Sequence, residues 1–146
     1  MPITYHCDTT THVTVSLWRG RVPLEDITSH LDVLASDPDF VSSRVLLTDL
    51  RDIASNERPT LEQVERAAQE FLRRFGDTMT ALKWGIVARH AFLEASAFEE
   101  RIREHVARAL AFNDLGTACV WLGVDPTQIE KTIDELRDGA ADELRA

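Results

Sequence analysis

The stretch from Arg44 to Asn56, RVLLTDLRDIASN, constrains the fold more than any other part of the chain. Side chains alternate along a strand, so Val45 and Leu47 point one way and Leu46 and Leu50 the other. Apolar residues on both faces mean a strand covered on both sides, hence an interior one. The run then turns polar at Asp49, Arg51, Asp52, Ser55 and Asn56, before a helix begins near Thr60. A buried strand ending in a polar loop ahead of a helix is where α/β domains commonly place a binding site.

The flanking segments supply the rest of a sheet. Ile3, Tyr5 and Cys7 alternate with Thr4, His6 and Asp8; Val13, Val15 and Leu17 resume the pattern after the polar turn DTTT. Two alternating runs across a short polar loop read as an antiparallel hairpin, closed by Gly20. Leu24, Ile27, Leu31 and Leu34 recur at helical spacing, giving a helix over Pro23–Ala35 that Asp37-Pro38 ends. Strand, helix, strand implies a parallel pairing with a right-handed crossover. Thr60 and Gln63 form a capping box for a helix with the stripe Leu61, Val64, Ala68, Phe71, Leu72 and Phe75, stopped by Gly76. Leu82–Arg89 is a further strand, with Leu82, Trp84, Ile86 and Ala88 on one face and Gly85 and Val87 on the other.

From Ala91 to Phe112 periodicity permits either one long helix or a helix followed by a strand, and local propensity favours the helix. Asp114 can cap a short helix that Gly123 stops. Asp125, Pro126 and Gln128 start the last helix, with Val124 stapling onto Ile129. Beyond Gly139 fraying is expected.

With 146 residues and no linker or repeat, one domain is expected, large enough to bury a sizeable core. The net charge of −9 repels phosphodiester backbones and anionic lipid, so the chain is read as no nucleic-acid binder. Residues 125–146 carry seven acidic and three basic side chains, −4 of that total. No apolar run is long enough for a membrane span, and MPITYHCDTTT has no secretory-signal pattern. Cys7 and Cys119 fit no metal-ligand spacing and are read as reduced thiols of a cytoplasmic protein.

The order of elements, with MPITYH, VLLTDLRDI, WGIVAR and AFNDLGTACVWLG, resembles the SpoIIAA-like branch of the STAS/SEC14 group of bacterial cytoplasmic proteins. The resemblance covers residues 1–123 and leaves 124–146 as an acidic helix and tail, packed on or extending from the same domain. It implies an α/β single domain with a mixed, roughly five-stranded sheet and packed helices. It also resolves the ambiguous segment, ending the helix near Glu104 and making Val106–Phe112 a strand. Members that act as anti-sigma-factor antagonists use a serine in an Asp-Ser-Ser type loop after the central strand. Here the loop reads DIASNERPT: Ser55 is present, but Ala54 replaces the acid and Asn56-Glu57 follow. Ser55 is therefore not expected to be a phosphorylation switch, although its loop is expected to be the functional surface.

No metal-binding, phosphate-cradling or nucleophile-elbow motif occurs, so no catalytic residue, metal or cofactor is assigned and the chain is read as a non-enzyme. His30, beside the first helix's stripe, reads as a packed or surface residue. Asp49, Arg51 and Asp52 could do acid–base work, but they read better as loop organisers, with Asp accepting backbone N–H bonds and Arg spanning to a neighbour. Arg89 and His90, just before a helix, could form an anion site. Trp18, Trp84 and Trp121 read as core or rim packing, and a tryptophan bordering a cleft can stack a ligand.

Two functions follow. One is a regulatory module of the STAS type that contacts a protein partner, or pairs as a homodimer, through the loop after the central strand; the partner- or ligand-binding residues are Asp49, Arg51, Asp52, Ser55, Asn56, Arg58, Trp84, Arg89 and His90. The other is a SEC14-like carrier or sensor of a small apolar ligand held between helices and sheet. A pocket lined by Leu, Phe and Trp favours the carrier, and a flat polar surface around Ser55 favours the module.

Overall fold

The computed structural model describes residues 2–76, 78–105 and 108–145. Its strands are β1 (Ile3–Asp8), β2 (Val13–Arg19), β3 (Val45–Asp52), β4 (Lys83–Val87) and β5 (Arg108–Phe112). Its helices are α1 (Leu24–Ala35), α2 (Pro38–Val41), α3 (Leu61–Phe75), α4 (Phe92–Ile102), α5 (Leu115–Leu122) and α6 (Pro126–Arg145). The strands form one mixed sheet in the order β1-β2-β3-β4-β5, antiparallel between β1 and β2 and parallel thereafter. The stretch 44–52 thus lies at the centre of the sheet, as its two apolar faces require.

Local chemistry accounts for the boundaries. Asp8 Oδ1 accepts the N–H groups of Thr10 and Thr11 at 2.9 and 3.2 Å, tightening the first turn. Thr60 Oγ1 accepts the Gln63 N–H at 3.1 Å while Gln63 Oε1 accepts the Thr60 N–H at 2.8 Å, the reciprocal cap expected for α3. Gly76 ends that helix with φ +51°, where a side chain would be strained. Asp37 and Pro38 do more than end α1. Asp37 Oδ1 accepts the Asp39 N–H at 2.9 Å and so starts the one-turn helix α2.

The segment after α4 is a strand, running from Arg108 in the described residues; Val106 and Ala107 lie outside them. Buried Glu99 joins the two elements. Its carboxylate pairs with Arg103 on one side and accepts the Ala111 N–H at 2.9 Å on the other. At the carboxyl end, α6 runs through Gly139 to Arg145, so the helix continues where fraying was expected. One glycine in an otherwise helical segment costs only about 1 kcal/mol, too little to end it.

Both faces of the sheet are covered. On one, Leu46, Trp84 and Ile86 face Ile27, Leu31 and Leu34 of α1, Phe40 of α2, Ala67 and Phe71 of α3, and Ala95 of α4. On the other, Val13, Val15, Leu17, Leu47 and Val87 pack on Leu115, Ala118, Cys119 and Leu122 of α5 and on Ile129 and Ile133 of α6. Gly85 lets α5 approach, since a β-carbon there would lie 3.0 Å from Leu122 Cδ1.

Candidate functional site

The polar end of β3 divides into a buried ionic clasp and an exposed loop. Asp49 is 0% exposed on the α5–α6 face. Its carboxylate accepts the Arg51 N–H and the guanidinium Nε and Nη2, each at 3.0 Å. Asp52 accepts Arg137 Nε and Nη2 at 2.8 and 3.0 Å, and the same guanidinium stands 3.9 Å from Asp49. Hydrogen bonds to Asp49 and Asp52, respectively, hold the Arg51 and Arg137 guanidiniums above their ordinary pKa. Both acids are therefore spent on arginines of their own chain. The result is a fastening of α6 to the central strand, with neither carboxylate offered to a substrate.

Beyond the clasp, Ser55–Glu57 form a 3-10 turn. Its backbone is tied at three points: Glu57 Oε1 accepts the Ala54 N–H at 2.9 Å, Arg58 Nε donates to the Ser55 carbonyl at 3.1 Å, and Arg21 Nη2 donates to the Asn56 carbonyl at 2.6 Å. Ser55, Asn56 and Arg58 are exposed. Arg89 and His90 are exposed too, between β4 and α4, with no hydrogen bond or ion pair to the Asp49–Arg51 cluster. Asp49 and Asp52 are paired with Arg51 and Arg137 instead.

The remaining predicted residue, Trp84, lies elsewhere. It stands on the opposite face of the sheet and borders a cavity of about 110 Å³ between the sheet and α1, α3 and α4. Leu31, Leu34, Phe40, Leu46, Phe71, Ile86 and Phe98 are part of its wall. The indole N–H groups that face this region are satisfied within it: Trp84 donates to Thr48 Oγ1 at 3.0 Å and Trp18 to Ser16 Oγ at 2.8 Å. Burial of those dipoles therefore leaves the wall apolar in effect. Ile53, Glu57 and Pro59 border one end of the cavity, so the exposed turn on its outer side is part of the cavity's rim on its inner side. A second depression, of about 280 Å³, lies beside β1–β2 and the α5–α6 junction, and its wall mixes Val13, Val15, Leu122 and Ile129 with His6, Asp8, Asp125 and Gln128.

Two residues of the cavity were not assigned from sequence. His30 on α1 is half-buried, with its ring 5.5 Å from that of Tyr5 and 6.1 Å from that of Trp18. Burial pushes its pKa down to about 4, so the ring is neutral near pH 7. Glu94, in the first turn of α4, also lines the wall. It shares a stripe with Ala91, Ala95 and Phe98 at helical spacing, and an acid on an apolar stripe was the available signal.

No family model matches the chain and no curated protein matches it. Among solved structures, the chain is similar to one described as an anti-sigma factor antagonist from Mycobacterium paratuberculosis, at 16% identity and a TM-score of 0.48, over 82% of this chain and 93% of the other. The site itself is defined by this chain's own residues.

Proposed function

We propose that the chain is a non-catalytic binding protein that takes a small apolar ligand between α1, α3, α4 and the sheet. The observation that carries this reading is the cavity wall, where leucine, phenylalanine and tryptophan dominate and the few polar groups are mostly paired with each other. The loop of residues 53–60 then has two sides. Ile53, Glu57 and Pro59 meet the cavity, while Ser55, Asn56 and Arg58 meet solvent. Occupancy of the cavity would be read by a protein partner at that outer surface, which makes the regulatory module and the ligand sensor one device. Ser55 contributes surface rather than a phosphorylation switch. A phosphate's charge of about −1.5 to −2 would meet Glu57 in the same turn, with Arg58 a partial offset.

Catalysis is not part of the proposal. Burial pushes the Cys119 thiol up to about 11 and raises that of Cys7, so each stays protonated and unreactive near pH 7. Native mass spectrometry of the protein purified from its producing cells tests the reading. A bound small molecule is expected on the wild type and is lost in Ala67→Leu, which fills the cavity from α3. Bound mass that is unchanged by the substitution would place the ligand elsewhere.

A further inference from the structure

Among the described residues, one buried side-chain oxygen has no hydrogen-bond partner, and it is Glu94 Oε2. The side chain is 12% exposed, and its other oxygen lies 3.8 Å from Arg58 Nη1, within ion-pair range but beyond a hydrogen bond. Glu94 lines the cavity, in which most other polar groups are occupied, His30 with its ring packed on Tyr5 and Trp18 being the exception. The Trp18 and Trp84 N–H groups bond Ser16 and Thr48, Gln63 Oε1 accepts from Thr60, and Glu57 Oε1 accepts from Ala54. An ionised carboxylate only accepts, and a buried acceptor without a donor is costly. What Glu94 Oε2 lacks is a donor.

Resting on the cavity reading above, we propose that the ligand is an apolar chain ending in a hydrogen-bond donor, a hydroxyl or an ammonium group, which Glu94 anchors. A slight turn of the side chain brings Oε2 to the donor, while Arg58 holds Oε1. A fatty carboxylate is disfavoured, because it sets a second acceptor and a like charge against the first. Size follows from the volume: at about 30 Å³ for each packed group, 110 Å³ encloses roughly four water-sized groups, and a methylene is of similar bulk. A ten-carbon chain is a probe long enough to fill that volume, with its remainder at the open rim.

Trp18 and Trp84 line the cavity, so their fluorescence reports its occupancy directly. The experiment titrates the full chain with 1-decanol, decylamine and decanoate below their aggregation limits, and repeats this with Glu94→Gln and Glu94→Leu after checking the melting curves. The alcohol and the amine are expected to bind the wild type about tenfold or more tighter than decanoate, with that preference lost in Glu94→Leu. Glu94→Gln keeps one acceptor and removes the charge, so it should retain decanol while weakening decylamine. Decanoate binding as tightly as decanol to the wild type would overturn the anchor and leave the cavity reading standing. Failure of all three to bind would remove both. The wild-type comparison decides the point even if a variant does not fold.

Discussion

On one face of the sheet Leu17, Leu47 and Val87 meet α5 and α6 so closely that Gly85 has no room for a β-carbon against Leu122. On the other, Leu46, Trp84 and Ile86 look across a cavity toward α1, α3 and α4. The same strands build both faces, so the difference lies in how the helices are held. Helix α6 is fastened to β3 through Arg137 and Asp52, and Asp49 with Arg51 completes a buried ionic clasp beneath it. The helices of the cavity face are tied mainly to each other at their outer edges, by Arg74 with Asp32 and by Arg101 with Glu65. Those ties set the spacing between helices, while Glu99 fastens α4 to the outer strand β5. The contrast teaches that one sheet can carry a cover fastened to its central strand on one side and a cover that leaves an aromatic-lined apolar cavity on the other.

The largest effect that tests this contrast is expected on the packed face. Leu47 is 0% exposed, and Leu47→Ala should cost about 2–5 kcal/mol, seen as a lower urea midpoint at similar slope. A loss below about 1 kcal/mol would mean that β3 is not tightly packed there.

The clasp comes next. Arg51→Met leaves the fully buried Asp49 carboxylate with Arg137 at 3.9 Å as its remaining cation. A loss of about 2–3 kcal/mol is expected, less than for a wholly uncompensated buried charge. Adding Asp49→Asn should recover part of it. No recovery would mean that the arginine acts through packing alone.

How much of this was legible in the sequence depended on the range of the interaction concerned. The interior position of β3 and the Thr60–Gln63 cap were readable because alternation and capping are local. The strand at Arg108–Phe112 opposed local helix propensity, since its stability comes from parallel pairing with β4 and from Glu99 reaching the Ala111 N–H. The cluster at Asp49, Arg51 and Asp52 was visible, but its partner Arg137 lies 85 residues from Asp52 and nothing local connects them. The cavity was unreadable for a related reason. Its volume depends on how far three helices stand from the sheet, and residue order does not encode that distance simply.

On the cavity face the histidine gives a pH test. Burial lowers the folded His30 pKa to about 4 from its ordinary 6.5, so the unfolded chain takes up the proton first. The sign follows: this contribution to stability is complete above about pH 6.5, declines as pH falls toward 4, and is exhausted below it. Its size is about 2–3 kcal/mol. His30→Gln should remove that part of the acid destabilisation in urea midpoints measured between those pH values. An unchanged pH profile would show that His30 is hydrated in the folded state.

The smallest effect is expected where volume is added. Ala67→Leu projects into the cavity and should change stability by less than about 1 kcal/mol, whereas Ala118→Leu on the packed face should cost about 1–3 kcal/mol from overpacking. Equal costs would erase the distinction between the faces.

The most direct test is a methyl NMR titration of the intact protein with 1-decanol. The methyl signals of Leu31, Leu34, Leu46 and Ile86 are expected to shift with saturable binding, while those of Leu17, Leu47, Leu122 and Ile133 stay in place. Shifts centred on the second group, or no saturable shift at all, would contradict an apolar ligand site on the cavity face.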